Sequence, residues 1–561
     1  MKRSSRIWVL LIVAVLVLPS VVVTAGDRSK ESNEAAVARN LSIFNSLYKE
    51  LAVNYVDTID PDKTITTAVN AMLSQLDPYT EYIKAEDRED FMMVSTGEYG
   101  GIGSIILQTK NGVVISEPYE GSPAALSGLK PGDKIIMIDG DSTATWTTSK
   151  VSERLKGQAN TSVKVTVCRP YAADSILTFD ITRKKIQIPS VPYYGTLKGG
   201  AGYIVLTTFN ENSPEEVKNA LTELKKNPEV RYIVLDLRGN GGGILESAVK
   251  IVNLFVPKNT EVLRTKGRVK QNEKIYKTTQ KPVDDKIPLF VLIDGGTASA
   301  AEITAGSLQD MDRAVIVGSR SFGKGLVQST RSLPYDNMLK LTISKYYIPS
   351  GRLIQAIDYS HRNPDGSVGR IPDSLTTVFH TAGGREVRDG GGITPDITVD
   401  WGKINRLTYN IIRDNWAFNF ATKFASENKT VAPAEEFTIT DSIFNDFKRF
   451  IDPGKFDYDK VCETGLEQLR ETAETEGYMN DSTKTAFDAL AKLLHHNLEQ
   501  DLDHNRKSIE EILESEILKR YYYQKGMIIS GLKNDKALDT VADLFAKPGE
   551  YDKILHPEKK D

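Results

Sequence analysis

Leu289-Phe-Val-Leu-Ile-Asp-Gly-Gly-Thr-Ala-Ser299-Ala-Ala-Glu302-Ile-Thr-Ala-Gly-Ser-Leu308 carries the pattern on which the fold turns. Five apolar residues, Leu289 to Ile293, predict a strand, the Asp294-Gly-Gly-Thr297 run a turn, and Ala300 to Leu308 a helix. The same alternation surrounds it. Tyr232 to Leu237 reads as a strand, and Pro214 to Lys226 and Leu245 to Phe255 read as helices, all between Tyr203 and Val399. Strands alternating with helices predict an α/β domain with a partly parallel sheet.

Working outward, the character of the chain changes twice on the amino-terminal side and once on the other. From Tyr99 to Lys185 short β-branched runs such as Val113 to Ser116 and Ile135 to Ile138 are cut by Pro131-Gly-Asp133 and Asp139-Gly-Asp141, which predicts a β-rich module. Before it, Leu41, Phe44, Leu47, Tyr48, Leu51 and Tyr55 recur at helical steps. After Lys403, Pro and Gly thin out and mixed-charge amphipathic stretches at Ser482 to Leu502 and Ser508 to Lys525 predict helices with solvated faces. At the start, Lys2, Arg3 and Arg6 precede an apolar run from Ile7 to Leu18, and Val23-Thr-Ala25 offers small residues to a signal peptidase. This is an export signal, cleaved or kept as an anchor, although the run is short of the roughly 20 residues of a membrane span. No cysteine follows it, so lipoprotein attachment is not expected.

Composition narrows the functional classes. With 71 basic and 75 acidic residues in 561, the net charge of −4 provides no field to gather nucleic acid or anionic lipid. Two cysteines, Cys168 and Cys462, exclude a disulfide framework, and Cys168 alternates within Val163-Lys-Val-Thr-Val-Cys168 as a core residue would. No His-Glu metal pair exists, and His361 and His380 read as surface residues. Gly318 to Gly325 nearly matches a phosphate-binding loop, but Gly325 lacks the hydroxyl that would hold magnesium and a β-branched run follows. Gly239-Asn-Gly-Gly-Gly243 lacks the third glycine of a dinucleotide loop.

Ser299 remains, with two readings. Ser299-Ala-Ala-Glu302 is a capping box, and a helix start is also where amides stabilise a developing oxyanion. With no histidine marked as base, the available partner is Lys324 in Phe322-Gly-Lys-Gly325. It serves only if burial draws its pKa from about 10.4 toward 7 or 8. Gln328, four residues on, shares a face with it in either regular structure and orients an amine without stabilising its charged form. Ser46-Leu-Tyr-Lys49 has a serine–lysine spacing of its own but reads as part of the amino-terminal helix.

Taken in order, Leu76-Asp-Pro-Tyr-Thr80, Gly100-Gly-Ile-Gly103, Ser122-Pro-Ala-Ala125 with Gly128-Leu-Lys-Pro-Gly-Asp133, Asp236-Leu-Arg-Gly-Asn240, Thr297 to Ile303, Phe322 to Gly325 with Gln328, Tyr347-Ile-Pro-Ser-Gly-Arg352 and Gly392-Ile-Thr-Pro-Asp396 resemble the C-terminal processing peptidases. The resemblance implies a multidomain α+β protein whose α/β protease core is similar to the crotonase fold. It also implies a β-rich PDZ domain, helical amino- and carboxy-terminal domains, and no cofactor or metal. The expected divisions are a signal or anchor at 1–26, a helical domain at 27–92, a PDZ domain at 93–188, a serine protease core at 189–400 and a helical domain at 401–561. Carried over by motif, Ser299 is the nucleophile, Lys324 the base and Gln328 its orienting residue. Gly242 and Ala300 supply oxyanion amides, and Gly101, Ile102 and Gly103 capture the substrate's terminal carboxylate. Gly241 stands where a proline usually precedes the glycines, and Ser104 where the loop usually has an apolar residue. The implied function is an exported serine endopeptidase of the bacterial periplasm or cell envelope, acting through an acyl-enzyme on proteins with exposed C-terminal tails. An inner-membrane anchor, a regulatory adaptor and self-association stay open, and nucleic acid is not expected. The alternative is a catalytically silent envelope adaptor that binds partner C-termini.

Overall fold

A computed structural model describes residues 33–363 and 365–557. The export signal expected over residues 1–26 lies outside the described residues. The chain forms two compact units, residues 1–72 and 73–561. In the smaller, the helix Asn33–Asn54 buries none of its residues and contains Ser46 and Lys49, and Tyr48 donates its hydroxyl to the Pro61 carbonyl at 3.0 Å. No described helix is long and apolar enough to cross a membrane.

The expected helical character does not run to residue 92. The second helix ends at Leu73, and Asp77 organises the turn that follows: its Oδ1 accepts from the amides of Tyr79 and Thr80 at 2.8 and 2.9 Å, and its Oδ2 from the Thr80 hydroxyl at 3.0 Å. This side-chain turn sends the chain out as the strand Glu81–Ile83, which pairs antiparallel with Met338–Tyr347. Helix resumes only at Arg88–Thr96.

The β-rich module follows. Its sheet runs in the order Ser104–Thr109, Gly112–Pro118, Lys134–Ile138, Ser162–Cys168, Ile176–Thr182, around a core that includes Ile115, Ile138, Val151 and Val165. Ser104–Thr109 pairs on one side only, so its other edge is open. Cys168, expected in the core, closes its strand half-buried, and both cysteines are free.

The α/β core is a six-stranded sheet in the order Tyr193–Leu197, Ala201–Val205, Tyr232–Asp236, Leu289–Ile293, Val315–Gly318, Ile397–Thr398, parallel after the first strand. The central strands are buried along their whole length. Alternation divides their side chains: Ile233, Leu235, Leu289, Val291 and Ile293 join a cluster with the helices Ser213–Leu224, Leu245–Val252 and Ala300–Asp310. Tyr232, Val234, Phe290 and Leu292 go to the other face, where Ala537, Val541 and Leu544 of the helix Lys536–Ala546 and Leu555 of Glu550–Leu555 cover them. Residues 401–561 are helical as expected, and their helices contribute to two separate cores. A bundle around Phe420, Phe447, Leu513 and Ile517 has its own core, while the last two helices complete the sheet.

A second, antiparallel sheet orders Glu81–Ile83, Met338–Tyr347, Glu261–Gly267 and Lys274–Lys277, with Leu326–Ser332 also paired to Met338–Tyr347. The segment Gly318–Gly325 passes between the two sheets into a strand.

Candidate active site

Leu289–Ile293 ends at Asp294, whose Oδ1 accepts from the amides of Gly239, Gly296 and Thr297 at 2.9, 2.9 and 3.1 Å. The Thr297 hydroxyl donates to the Leu237 carbonyl at 2.9 Å, and the Ala298 amide to the Asn240 carbonyl at 2.9 Å. This turn delivers Ser299 to the first position before the helix Ala300–Asp310 with φ 55° and ψ −115°. A non-glycine residue in that region costs on the order of 1–3 kcal/mol, which the hydrogen bonds on either side hold in place. Strain at a strand-to-helix turn is how a serine is presented at the end of a sheet.

The capping box is formed as well. Glu302 is fully buried, and its Oε2 accepts from the Ser299 amide at 2.8 Å. The same carboxylate accepts from the Lys324 amide at 2.8 Å, the Gly323 amide at 2.7 Å and the Ser321 hydroxyl at 2.5 Å. Burial pushes its carboxyl up while these donors pull it back. Tyr346, also buried, places its hydroxyl between the carbonyls of Lys324 and Ser299, at 2.8 and 3.2 Å. Two side chains thus lace together the segments that carry Ser299 and Lys324. Sequence reading found Glu302 only as a cap and did not find Tyr346; a lone Tyr in a strand gives no signal.

The Lys324 side chain is half-buried, and burial first, then the like charge of Lys340, lowers its pKa to about 8. Glu81, Asp77 and Glu302 act in the opposite sense. Its Nζ lies 3.9 Å from the centroid of the Tyr79 ring and, among the described residues, hydrogen-bonds neither the Ser299 hydroxyl nor Gln328. Gln328 instead donates to Thr342 Oγ1 at 3.1 Å, and that hydroxyl donates to Asp77 Oδ1 at 3.2 Å. Lys324 precedes the strand Leu326–Ser332, and the register shifts between Val327 and Gln328. A bulge re-aims the side chains that follow it.

Gly242, at φ 97°, abuts Ser299: a Cβ there would come within 2.9 Å of Ala298 O, Ser299 Cβ and Ala300 N. Its amide is already engaged by Asn240 Oδ1 at 2.8 Å, whereas Ala300 is a first-turn residue whose amide has no intrahelical acceptor. The loop begins at a fixed point, because Arg238 pairs with both Asp236 and Asp535 at 2.6 Å, and Asp535 caps the helix Lys536–Ala546. In the β-rich module Gly101, Ile102 and Gly103 are buried, with Gly103 at φ 76°, and the Ile102 and Gly103 carbonyls accept from Ala124 and Tyr119. Ser104 Oγ beside them is buried without a hydrogen-bond partner among the described residues. His361 and His380 are exposed.

A strained serine and a lysine whose pKa is lowered are thus carried on two segments that one carboxylate and one phenol tie together. Residues 200–368 match the family model of peptidase family S41, residues 114–169 that of the PDZ domain, and residues 407–545 that of the probable PDZ-protease C-terminal helical domain. The chain is 33% identical over 384 residues to a carboxy-terminal-processing protease of Bartonella bacilliformis, an alignment that covers 68% of this chain and 87% of that one. It is 31% identical over 381 residues to a probable CtpA-like serine protease of Staphylococcus aureus, covering 68% of each. Among solved structures it is similar to a photosystem II D1 C-terminal processing protease, at 26% identity and TM-score 0.35, over 64% of this chain and 87% of that one. The chain belongs to peptidase family S41, among the serine-type carboxy-terminal-processing proteases that carry a PDZ domain and a C-terminal helical domain.

Proposed function

We propose that this protein is an exported endopeptidase that recognises the C-terminal tail of protein substrates and cleaves with Ser299 as nucleophile and Lys324 as general base. The observation that carries the reading is the lacing of the Ser299 and Lys324 backbones by Glu302 and Tyr346 around an amine whose pKa is lowered to about 8. The tail adds as a strand to the open edge of Ser104–Thr109, with its carboxylate at the amides of Ile102 and Gly103. Neutral Lys324 takes the Ser299 proton as Oγ attacks the scissile carbonyl, and the Ala300 amide receives the oxyanion, joined by Gly242 once Asn240 releases it. The lysinium then gives its proton to the leaving amine. Water, deprotonated by the same amine, frees the acyl-enzyme. Gln328 orients Lys324 after turning from Thr342.

The test incubates the chain from Asp27 onward, beside Ser299→Ala and Lys324→Ala, with an unfolded protein ending in a short apolar tail and the same protein with a charged tail. Cleavage by the wild type alone, favouring the apolar tail, is expected. Because the base works unprotonated, kcat/KM rises with pH through an acid limb near pH 8; a flat profile from pH 5 to 10 would overturn the assignment of Lys324.

A further inference from the structure

The Leu76-Asp-Pro-Tyr-Thr80 run has so far only turned the chain into a strand. Its fourth residue, however, lies against the amine on which the mechanism depends. The Tyr79 ring is fixed from both ends: Asp77 holds its amide at 2.8 Å, and Tyr359 packs edge-on at 6.0 Å between centroids and donates its hydroxyl to that of Tyr79 at 3.4 Å. Burial keeps the Tyr79 phenol neutral by pushing it far above its ordinary value. Lys324 Nζ sits over the face of this ring at 3.9 Å, well inside the ~6 Å reach of a cation–π contact.

We propose that Tyr79 is the positioning residue of the site: its ring face is the seat of the Lys324 amine and stabilises the lysinium that forms when the Ser299 proton is taken. The inference rests on the reading of Lys324 as base. Two opposing effects act on that amine. Burial disfavours its charged form. The negative face of an aromatic ring favours the charged form without offering a hydrogen-bond acceptor that would tie the amine down. An anion in the same place would raise the pKa further and hold the amine as a salt bridge. The carboxylates that do face Lys324 are engaged elsewhere: Glu302 by four donors, Asp77 by Tyr79, Thr80 and Thr342, and Glu81 by Lys340 at 3.3 Å. Lys340 itself adds a like charge. The ring is the neutral group that both seats the amine and lets it swing to Ser299.

The seat predicts opposite signs for two kinds of change. Tyr79→Leu keeps apolar bulk over the amine but removes the ring face, so the Lys324 pKa falls. Tyr79→Phe keeps the face, so the pKa stays. The full chain is assayed in two ways: the pH dependence of kcat/KM on the tailed substrate, and competitive acetylation of Lys324 against pH, read by mass spectrometry in the Ser299→Ala background. For Tyr79→Leu, both the acid limb and the acetylation midpoint are expected to move down by about half to one and a half pH units, and for Tyr79→Phe to stay within about 0.3 units. Tyr79→Met provides a second ringless, apolar variant should the leucine protein fold poorly. A merely structural role would lower activity at every pH and leave the midpoint in place.

A midpoint that stays or rises in the ringless variants overturns the seat. The two readings fail separately. A midpoint that falls while Lys324→Ala still cleaves upholds the seat and overturns the base assignment; a midpoint that stays while Lys324→Ala is inactive does the reverse.

Discussion

The main chain around Ser299 is held by Asp294, Thr297, Glu302 and Tyr346, each reaching across from another segment or closing its own turn, whereas the Lys324 amine meets one ring face and, among the described residues, no hydrogen-bond acceptor. The serine is placed by the backbone and the lysine by a side chain that can still turn. Oxyanion stabilisation needs donors fixed to within a fraction of an ångström, so the rigid half suits the acyl centre. In the proposed mechanism the base carries a proton from serine to leaving group, and later from water, and so has to move.

The comparison is broken most severely at Glu302. Glu302→Gln sets an amide N–H₂ among three backbone donors and a hydroxyl, and is expected to lose about 3 kcal/mol of stability or more, with cleavage below one hundredth of wild type; thermal melting and kcat measure both. Gly242→Ala tests the rigid half without undoing the lacing. Its Cβ meets the Ala298 and Ala300 main chain and the Ser299 Cβ at a positive φ, and kcat should fall roughly 100-fold while tail-peptide affinity is unchanged. Thr342→Val addresses the mobile half, removing the hydroxyl that links Gln328 to Asp77. A net hydrogen bond is worth about 1 kcal/mol, so a change of roughly fivefold in kcat is expected, and no change would mean that Gln328 is placed by other contacts. The smallest effect is that of Lys340→Gln. Removing a like charge raises the Lys324 pKa and moves the acid limb up by a few tenths of a pH unit at low ionic strength, less at high salt.

What was legible in the sequence follows the same division. The strand, turn and helix around Ser299 are contiguous, so periodicity and a capping pattern located them to within about two residues. Lys324 was found by elimination and by its glycines. Tyr79 was not, because its partner lies 245 positions away and nothing local marks an aromatic in a turn as a lysine's neighbour. Gln328 was named for its spacing and its motif, and the register shift between Val327 and Gln328 is invisible in the composition of Leu326–Ser332. The parallel sheet was readable from its strands; the cover of its second face was not. The helices between the strands all pack on one side, so a strand as apolar as Leu289–Ile293 required something over Phe290 and Leu292, but the pattern does not say from which part of the chain it comes.

That cover has a consequence for the order of assembly. The helix Lys536–Ala546 arrives some 300 residues after Tyr232–Asp236 has been synthesised, and until then one side of the sheet is bare apolar surface and Arg238 lacks its Asp535 partner. The loop that brings Gly242 to Ser299 is thus anchored at its start by a helix that lies some 300 residues further along the chain.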